Sequence, residues 1–334
     1  MTSLTQNFPT LQEITNAQIK LAPFIQKTPV NRWIDDAWSQ QLGSNTEVYV
    51  KQELLQVTGT FKHRGSLNVM LSMSQEELNR GVVAVSAGNH AIAIAYSAKV
   101  MGTTAKVVMT KNANPLSMQK ARELGAEIVL VDDRHQAFDL VETIEQQEGR
   151  TYIHPFEGPL TLQGTGTVGL EITQQTPQLD VMILPIGGGG LCSGIAAALK
   201  QVWPDIIIYG VEPSGANAMY QSFQQNKPVS LDKVSTIADS LAPPKCESYF
   251  YGVCHKFVDD IVMVTDDELK AAMVKLFDDM KLAVEPAAAA TTAALFGPLK
   301  DRVQGKKVGI ICCGASISID NFTALISPTS TQAD

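Results

Sequence analysis

The chain has 334 residues, 45% hydrophobic and 18% charged, a globular balance with room for a large core and about two domains. Its formal net charge is −8 and no block of Lys or Arg stands out, which argues against a nucleic-acid or acidic-membrane surface as the main partner. No basic segment followed by an apolar core opens the chain, no apolar run reaches the roughly 20 residues of a bilayer span, and its five cysteines show neither CxxC spacing nor disulfide-scaffold density. The expected setting is reduced and cytoplasmic.

Short, nearly continuous apolar runs recur along the chain: Glu47–Lys51, Gly81–Val85, Ala105–Met109, Ala126–Val131, Val181–Pro185, Ile206–Val211 and Val308–Cys312. Runs of this length without alternation suit strands buried on both faces of a parallel sheet. Helical stretches separate them. Asn112–Leu124 offers Asn114 as an N-cap with Pro115 at the first helical position. Asp266–Lys281 has amphipathic spacing and an acidic first turn. The alternation predicts an α/β fold. The tail after Ile326 is rich in Ser and Thr and is expected to fray.

Four breaks between these elements carry chemical potential. In Thr58-Gly-Thr-Phe-Lys-His-Arg-Gly65, Lys62 lies beside an aromatic and between glycines. Taken alone it reads as a turn lysine; imine chemistry needs an amine of lowered pKa. Ser86-Ala-Gly-Asn-His90 follows the Gly81–Val85 strand and precedes an apolar helix, so free N–H groups there attract a carboxylate or phosphate, with an ordinary capping turn as the alternative. Gly187-Gly-Gly-Gly190 follows the Val181–Pro185 strand. Four glycines at a strand-to-helix junction let N–H groups surround a phosphate, and the missing Gly-Lys-Ser/Thr ending argues for a cofactor smaller than a nucleotide. Cys312-Cys-Gly-Ala-Ser316 ends the last strand, where α/β sheets bind ligands, although plain buried cysteines are the commoner case. A fifth signal, Gly164-Thr-Gly-Thr-Val-Gly169, matches GxGxxG. It lacks a preceding strand and an acid about 20 residues on, which argues against a dinucleotide.

In this order and spacing the motifs resemble the fold type II pyridoxal-phosphate enzymes, nearest the threonine/serine dehydratases and serine racemases, from about Phe24 to Asp320. The resemblance implies a tryptophan-synthase-β-like α/β fold of two domains with parallel-rich sheets flanked by helices. A large cofactor-binding domain would comprise residues 1–76 and 160–334, and a small substrate-carboxylate domain residues 77–159. It implies a homodimer and pyridoxal 5′-phosphate as cofactor. Lys62 then looks like the Schiff-base lysine and the base at Cα. Phe61 packs by the ring, Asn89 hydrogen-bonds the ring hydroxyl, and Glu285 lies near the cofactor. Gly187, Gly188, Gly189 and Gly190 hold the phosphate, and Cys313, or Cys312 beside it, faces the pyridine nitrogen. Ser86, Gly88, Asn89 and His90 receive the substrate carboxylate.

The implied activity is deamination of L-threonine or L-serine to a 2-oxo acid and ammonium. A 3-hydroxyaspartate, an aryl-serine, serine racemisation and a non-catalytic relative are the alternatives. Ala87 stands where the racemases commonly have a second acid/base serine, which disfavours racemisation, and an intact Lys62 argues against loss of catalysis. No C-terminal regulatory domain is expected after Asp320, and hence no amino-acid feedback of the biosynthetic threonine-deaminase kind. His63, Thr165, Ser240, Ala288 and Ser316 depart from the usual pattern and touch substrate choice more than cofactor. Glu212 is followed by Asn217 and Ala218 where carboxylates are often found, so no metal site is expected.

Overall fold

The computed structural model describes residues 8–34, 41–156 and 158–327. The Ser- and Thr-rich tail beyond Ser327 lies outside the described residues. In chain order the strands are β1 Val30–Trp33, β2 Glu47–Gln52, β3 Val82–Val85, β4 Ala105–Thr110, β5 Glu127–Val131, β6 Thr151–Tyr152, β7 Val181–Pro185, β8 Ile207–Pro213, β9 Asp260–Val264 and β10 Lys307–Cys312. The helices are α1 Leu11–Leu21, α2 Lys62–Met70, α3 Gln75–Arg80, α4 Asn89–Met101, α5 Pro115–Glu123, α6 Arg134–Glu148, α7 Pro159–Gln175, α8 Gly190–Val202, α9 Ala218–Gln225, α10 Ser248–Phe257, α11 Asp266–Met280, α12 Pro286–Phe296 and α13 Ile319–Ile326.

They build two sheets, one of six strands in the order β1-β2-β10-β7-β8-β9 and one of four in the order β5-β4-β3-β6. Among these strands every pairing is parallel except β1 with β2. The seven apolar runs all form strands, and β7 is buried along its whole length as a central parallel strand should be. The chain is an α/β protein with parallel-rich sheets flanked by helices. The large sheet packs over one extensive core, whereas the small sheet has separate clusters on its two sides.

Both predicted helix starts form. Asn114 Oδ1 accepts from the Leu116 amide with Pro115 opening α5. At the acidic start of α11, Thr265 pairs with Glu268 in a reciprocal capping box. The glycine-flanked turn expected at Lys62 is instead the first turn of α2. The turn ends earlier, at Gly59, whose φ of +75° supplies the left-handed residue.

The GxGxxG segment lies in the middle of α7 and forms no strand-to-helix turn of its own; its Thr165 hydroxyl donates to the Gly190 carbonyl at 2.8 Å and so backs the glycine loop. A Cβ on Gly164 would sit 2.3 Å from the Arg64 carbonyl oxygen, on Gly166 3.0 Å from Ile14, and on Gly169 2.8 Å from Ala198. The three glycines let α7 approach α2, α1 and α8 closely. Among the described residues, no helix is long and apolar enough to cross a membrane.

Candidate active site

Parallel strands direct their carboxyl ends to one edge of a sheet, and the helices that follow begin there. Ser86 follows β3, Gly187 follows β7 and Cys313 follows β10, so three of the four motifs emerge at strand ends. The fourth, at the start of α2, joins them through pairing of Thr60 with Gly314 and a Phe61 amide bond to the Cys313 carbonyl of 3.3 Å. Phe61, Lys62, Asn89, Gly187 to Gly190, Glu285 and Cys313 all line one cavity with about 430 Å³ of empty space. Cys312 is absent from that lining and lies in the core.

Lys62 Nζ donates to the Pro155 carbonyl at 3.1 Å and lies 5.1 Å from the Phe61 ring centroid. Burial pulls its pKa down to about 8, against the opposing pull of Cys313 and Glu285. A buried amine that sheds its proton near neutrality is a nucleophile and a base. Burial pushes the Cys313 thiol well up, and Glu285 reinforces this, so Cys313 stays a neutral thiol.

The glycine loop is shaped by its surroundings. A Cβ would meet the Ser240 carbonyl oxygen at 2.8 Å from Gly187, the Phe156 ring at 2.5 Å from Gly188, Phe250 at 2.9 Å from Gly189 and the Phe156 carbonyl oxygen at 3.1 Å from Gly190. Gly189 also has φ +91° as the N-cap of α8. The first return bond of α8 runs from the Ser193 amide to Gly189 O, so the amides between them are helix-terminal donors.

At the other helix start, Ser86 Oγ accepts from the Gly88 and Ala91 amides, both at 3.2 Å. That holds the turn open at the N-terminus of α4, with Gly88 as its N-cap and Asn89 and His90 in its first turn. The His90 side chain turns inward, its Nε2 3.0 Å from Ile153 O, and burial pulls its pKa down to about 3. Only the backbone N–H of His90 is therefore suited to an anion.

Sequence reasoning missed the network that joins these parts. Glu285 accepts from Asn89 Nδ2 (2.8 and 3.1 Å to its two oxygens), Ser240 Oγ (2.9 Å) and the Ser316 amide (3.0 Å). It also missed Pro155 and Phe156, which reach the cavity from the carboxyl end of β6; the usable signal was their place just after a strand of a parallel sheet. Outside the cavity, both Glu212 oxygens are taken by the Met219 and Tyr220 amides at the start of α9.

This arrangement belongs to a known class. Residues 21–314 match the pyridoxal-phosphate-dependent enzyme family, and the chain is a member of it. The chain is 45% identical to the phenylserine dehydratase of Ralstonia pickettii, over 96% of this chain and 98% of that one. It is 35% identical to the L-threonine ammonia-lyase of Thermotoga maritima, over 95% and 78% respectively. Among solved structures, maize serine racemase superposes with a TM-score of 0.89 at 33% identity, covering 94% of this chain and 95% of that one. The fold is that of the fold type II enzymes, the cofactor is pyridoxal phosphate, and the chain stands among β-hydroxy amino acid ammonia-lyases.

The residues present fit that cofactor. The cavity offers one primary amine of lowered pKa, a glycine cradle that side chains would fill, a neutral thiol, and a buried Asn89 Oδ1 with no hydrogen-bond partner among the described residues.

Proposed function

We propose that the chain eliminates water from a β-hydroxy amino acid bearing an apolar or aryl β-substituent, 3-phenylserine foremost, releasing a 2-oxo acid and ammonium. The observation that carries this is Lys62: a buried amine with a pKa near 8, between a glycine cradle and a second helix N-terminus. Bound pyridoxal phosphate supplies the electron sink that acidifies Cα–H of an attached amino acid.

The chain's own residues do the rest. Lys62 would hold the cofactor through its ε-amine and, as a free amine, would be the base that takes the Cα proton. Phe61 packs beside the ring, and the amides of Gly187 to Gly190 bind the phosphate. Ser86, Gly88, Asn89 and His90 frame the carboxylate site, Ser86 by fixing the turn and the others by backbone N–H. Cys313 would lie at the ring nitrogen as an uncharged thiol, a partner too weak to hold a proton there, which would favour elimination of the β-hydroxyl over racemisation. The exposed methyl of Ala87 cannot shuttle a proton, so racemisation is disfavoured.

The wall chemistry orders the substrates. Of the described residues lining the two cavities at Lys62, Lys62 is the one cation, and His90 and His154 are held neutral with pKa values of about 3 and about 4 by burial. The distal carboxylate of a 3-hydroxyaspartate meets no second cation among these described residues, so its desolvation is poorly offset. Phe156, Pro155, Leu191 and Leu241 offer apolar surface instead. The sequence alone ranks threonine and serine first; the 45% identity to a phenylserine dehydratase, against 35% to a threonine ammonia-lyase, supports the aryl substrate above them. The same reading includes a homodimer, a cytoplasmic setting supported by five free, buried cysteines, and a small domain of residues 77–159 built on the four-stranded sheet.

The test is turnover by purified protein of 3-phenylserine, L-threonine, L-serine and 3-hydroxyaspartate, read as 2-oxo acid released. Higher kcat/KM on 3-phenylserine is the expected result. Cofactor-loaded protein that deaminates none of the four defeats the assignment.

A further inference from the structure

The network around Glu285 carries a consequence for the cofactor's ring. Glu285 is the N-cap of α12 and is buried, and its carboxylate is filled by donors from three directions. An ionised carboxylate only accepts, so the end of the Asn89 amide that meets it is Nδ2. Both Asn89 contacts to Glu285 and its 3.4 Å contact to Ser240 Oγ are made through that nitrogen. Oδ1 is left buried and without a hydrogen-bond partner among the described residues, on a residue that lines the cavity with Lys62 and Cys313. A buried acceptor of this kind calls for a donor from whatever fills the cavity.

We propose that Glu285 is a positioning residue that acts through Asn89: by claiming the amide N–H, it turns Oδ1 toward the ligand, so that Asn89 serves as an acceptor and holds the cofactor's ring oxygen as a hydroxyl. The inference rests on the reading that pyridoxal phosphate occupies this cavity. The titratable groups facing Glu285 are Lys62 from α2 and Cys313 from the end of β10. From α4 and the turn at 239–241 it is faced by Asn89 and Ser240, which do not titrate. Burial raises the Glu285 pKa above the usual carboxylate range, partly offset by Ser240, Ser316, Asn89 and Lys62. Protonation of Glu285 gives the carboxyl a proton to donate, lets the Asn89 amide turn over, and brings Nδ2 to the cavity in place of Oδ1. Asn89 thus reads the charge on Glu285 and presents an acceptor or a donor accordingly.

Glu285→Gln tests this. Glutamine keeps the shape, but with its one oxygen held by the Ser316 amide its Nε2 takes the place of the oxygen that accepts the shorter, 2.8 Å bond from Asn89, so N–H meets N–H there unless the Asn89 amide turns over. The Asn89 amide then presents its N–H to the cavity and stabilises the ionised ring oxygen. The measurement is the absorbance of the cofactor-loaded protein across pH. The midpoint for ring-oxygen ionisation is expected to fall by about one pH unit or more, the effect of one hydrogen bond to a charged group. In an Asn89→Ala background the same substitution should produce no shift. Ser240→Ala, which removes one donor from Glu285 and is milder on the fold, should move the midpoint in the same direction by less. Unmoved midpoints in both single variants overturn the proposal, as does a shift that persists without Asn89. Borohydride trapping and peptide mass analysis separate the two levels: cofactor fixed on a residue other than Lys62 defeats the site assignment, whereas cofactor fixed on Lys62 with unmoved midpoints defeats the role of Glu285 alone.

Discussion

Helix α2 presents two different electrostatic environments within one turn. Behind it, Arg64 is fully buried and saturated: it bonds both oxygens of Glu53 at 2.8 and 2.9 Å, both oxygens of Glu171 at 2.7 and 3.0 Å, and Thr167 and the Gln26 carbonyl besides. Lys51 completes a balanced set of two cations and two carboxylates through Glu171 at 2.5 Å. In front, Lys62 donates to a neutral carbonyl, that of Pro155, and its neighbours Asn89 Oδ1, Ser316 Oγ and His90 Nδ1 have no partner among the described residues. Lys62 is less completely enclosed than Arg64, but the sharper difference is in satisfaction. The pKa values record the difference. Burial by itself pushes Glu53 up, and Arg64 and Lys51 more than reverse it, leaving Glu53 below the usual carboxylate range. No such compensation rescues the Lys62 ammonium. Paired charge anchors the helix, and unpaired polar groups on its other side are left for a ligand to complete.

Removing the two cations should therefore have opposite signatures. Lys62→Ala should cut turnover by at least about 10³-fold, the scale of a lost general base and attachment point, with the protein still folded. Arg64→Met should cost about 3–5 kcal/mol of stability, because two buried carboxylates lose their main partner. Urea denaturation of both variants checks the pair. A destabilised Lys62 variant beside an unaffected Arg64 variant breaks the comparison.

The Lys62 penalty also has a defined pH window. Its folded pKa of about 8 lies below the ordinary 10.5 of lysine, so below pH 8 folding must keep a buried ammonium. The unfolded chain binds more protons between about pH 8 and 10.5, and stability from this group rises with pH across that window. Lys62→Met should therefore stabilise the cofactor-free protein at pH 7, by up to about 3 kcal/mol, and the gain should vanish above pH 10.5. For the same reason, capture of pyridoxal phosphate by the wild-type amine should accelerate with pH through a midpoint near 8.

A smaller effect is expected at the phosphate cradle. Gly189→Ala places a Cβ 2.9 Å from Phe250 at φ +91°, a conformation that costs a side chain about 1–2 kcal/mol before any collision. Cofactor affinity, measured by equilibrium titration of the stripped protein, should fall by about tenfold or more.

What was legible in the sequence follows the same division. Continuous apolar runs announce buried parallel strands, and seven were readable. The strands that escaped are marginal: β6 has two residues, β1 is a polar antiparallel edge with the pattern Val-Asn-Arg-Trp, and β9 is an edge strand half-buried at Met263. Local motifs announce the cavity because strand ends gather there. The Arg64 cluster was silent, since Lys51, Glu53, Arg64 and Glu171 span 120 positions and no spacing rule joins them. Glu285 was visible through its motif, but its grip on Asn89 depends on a side-chain contact across 196 positions. Ser240 and Ser316 read as departures from a pattern; in the structure both donate to Glu285.

The least disruptive change tests how far the site's outcome is set by a single missing group. Ala87 is exposed at the turn before α4, so Ala87→Ser should alter stability by no more than about 0.5 kcal/mol. Its hydroxyl adds what the front of the site lacks, a second proton carrier beside Lys62. Elimination should remain the main outcome if Cys313, an uncharged thiol, is the partner of the ring nitrogen as proposed. A minor racemising activity should emerge, seen as solvent deuterium entering unreacted substrate together with inverted stereochemistry at Cα. Deuterium entry with retention would place the new proton on the Lys62 face, and the hydroxyl at position 87 would then lie out of reach of Cα.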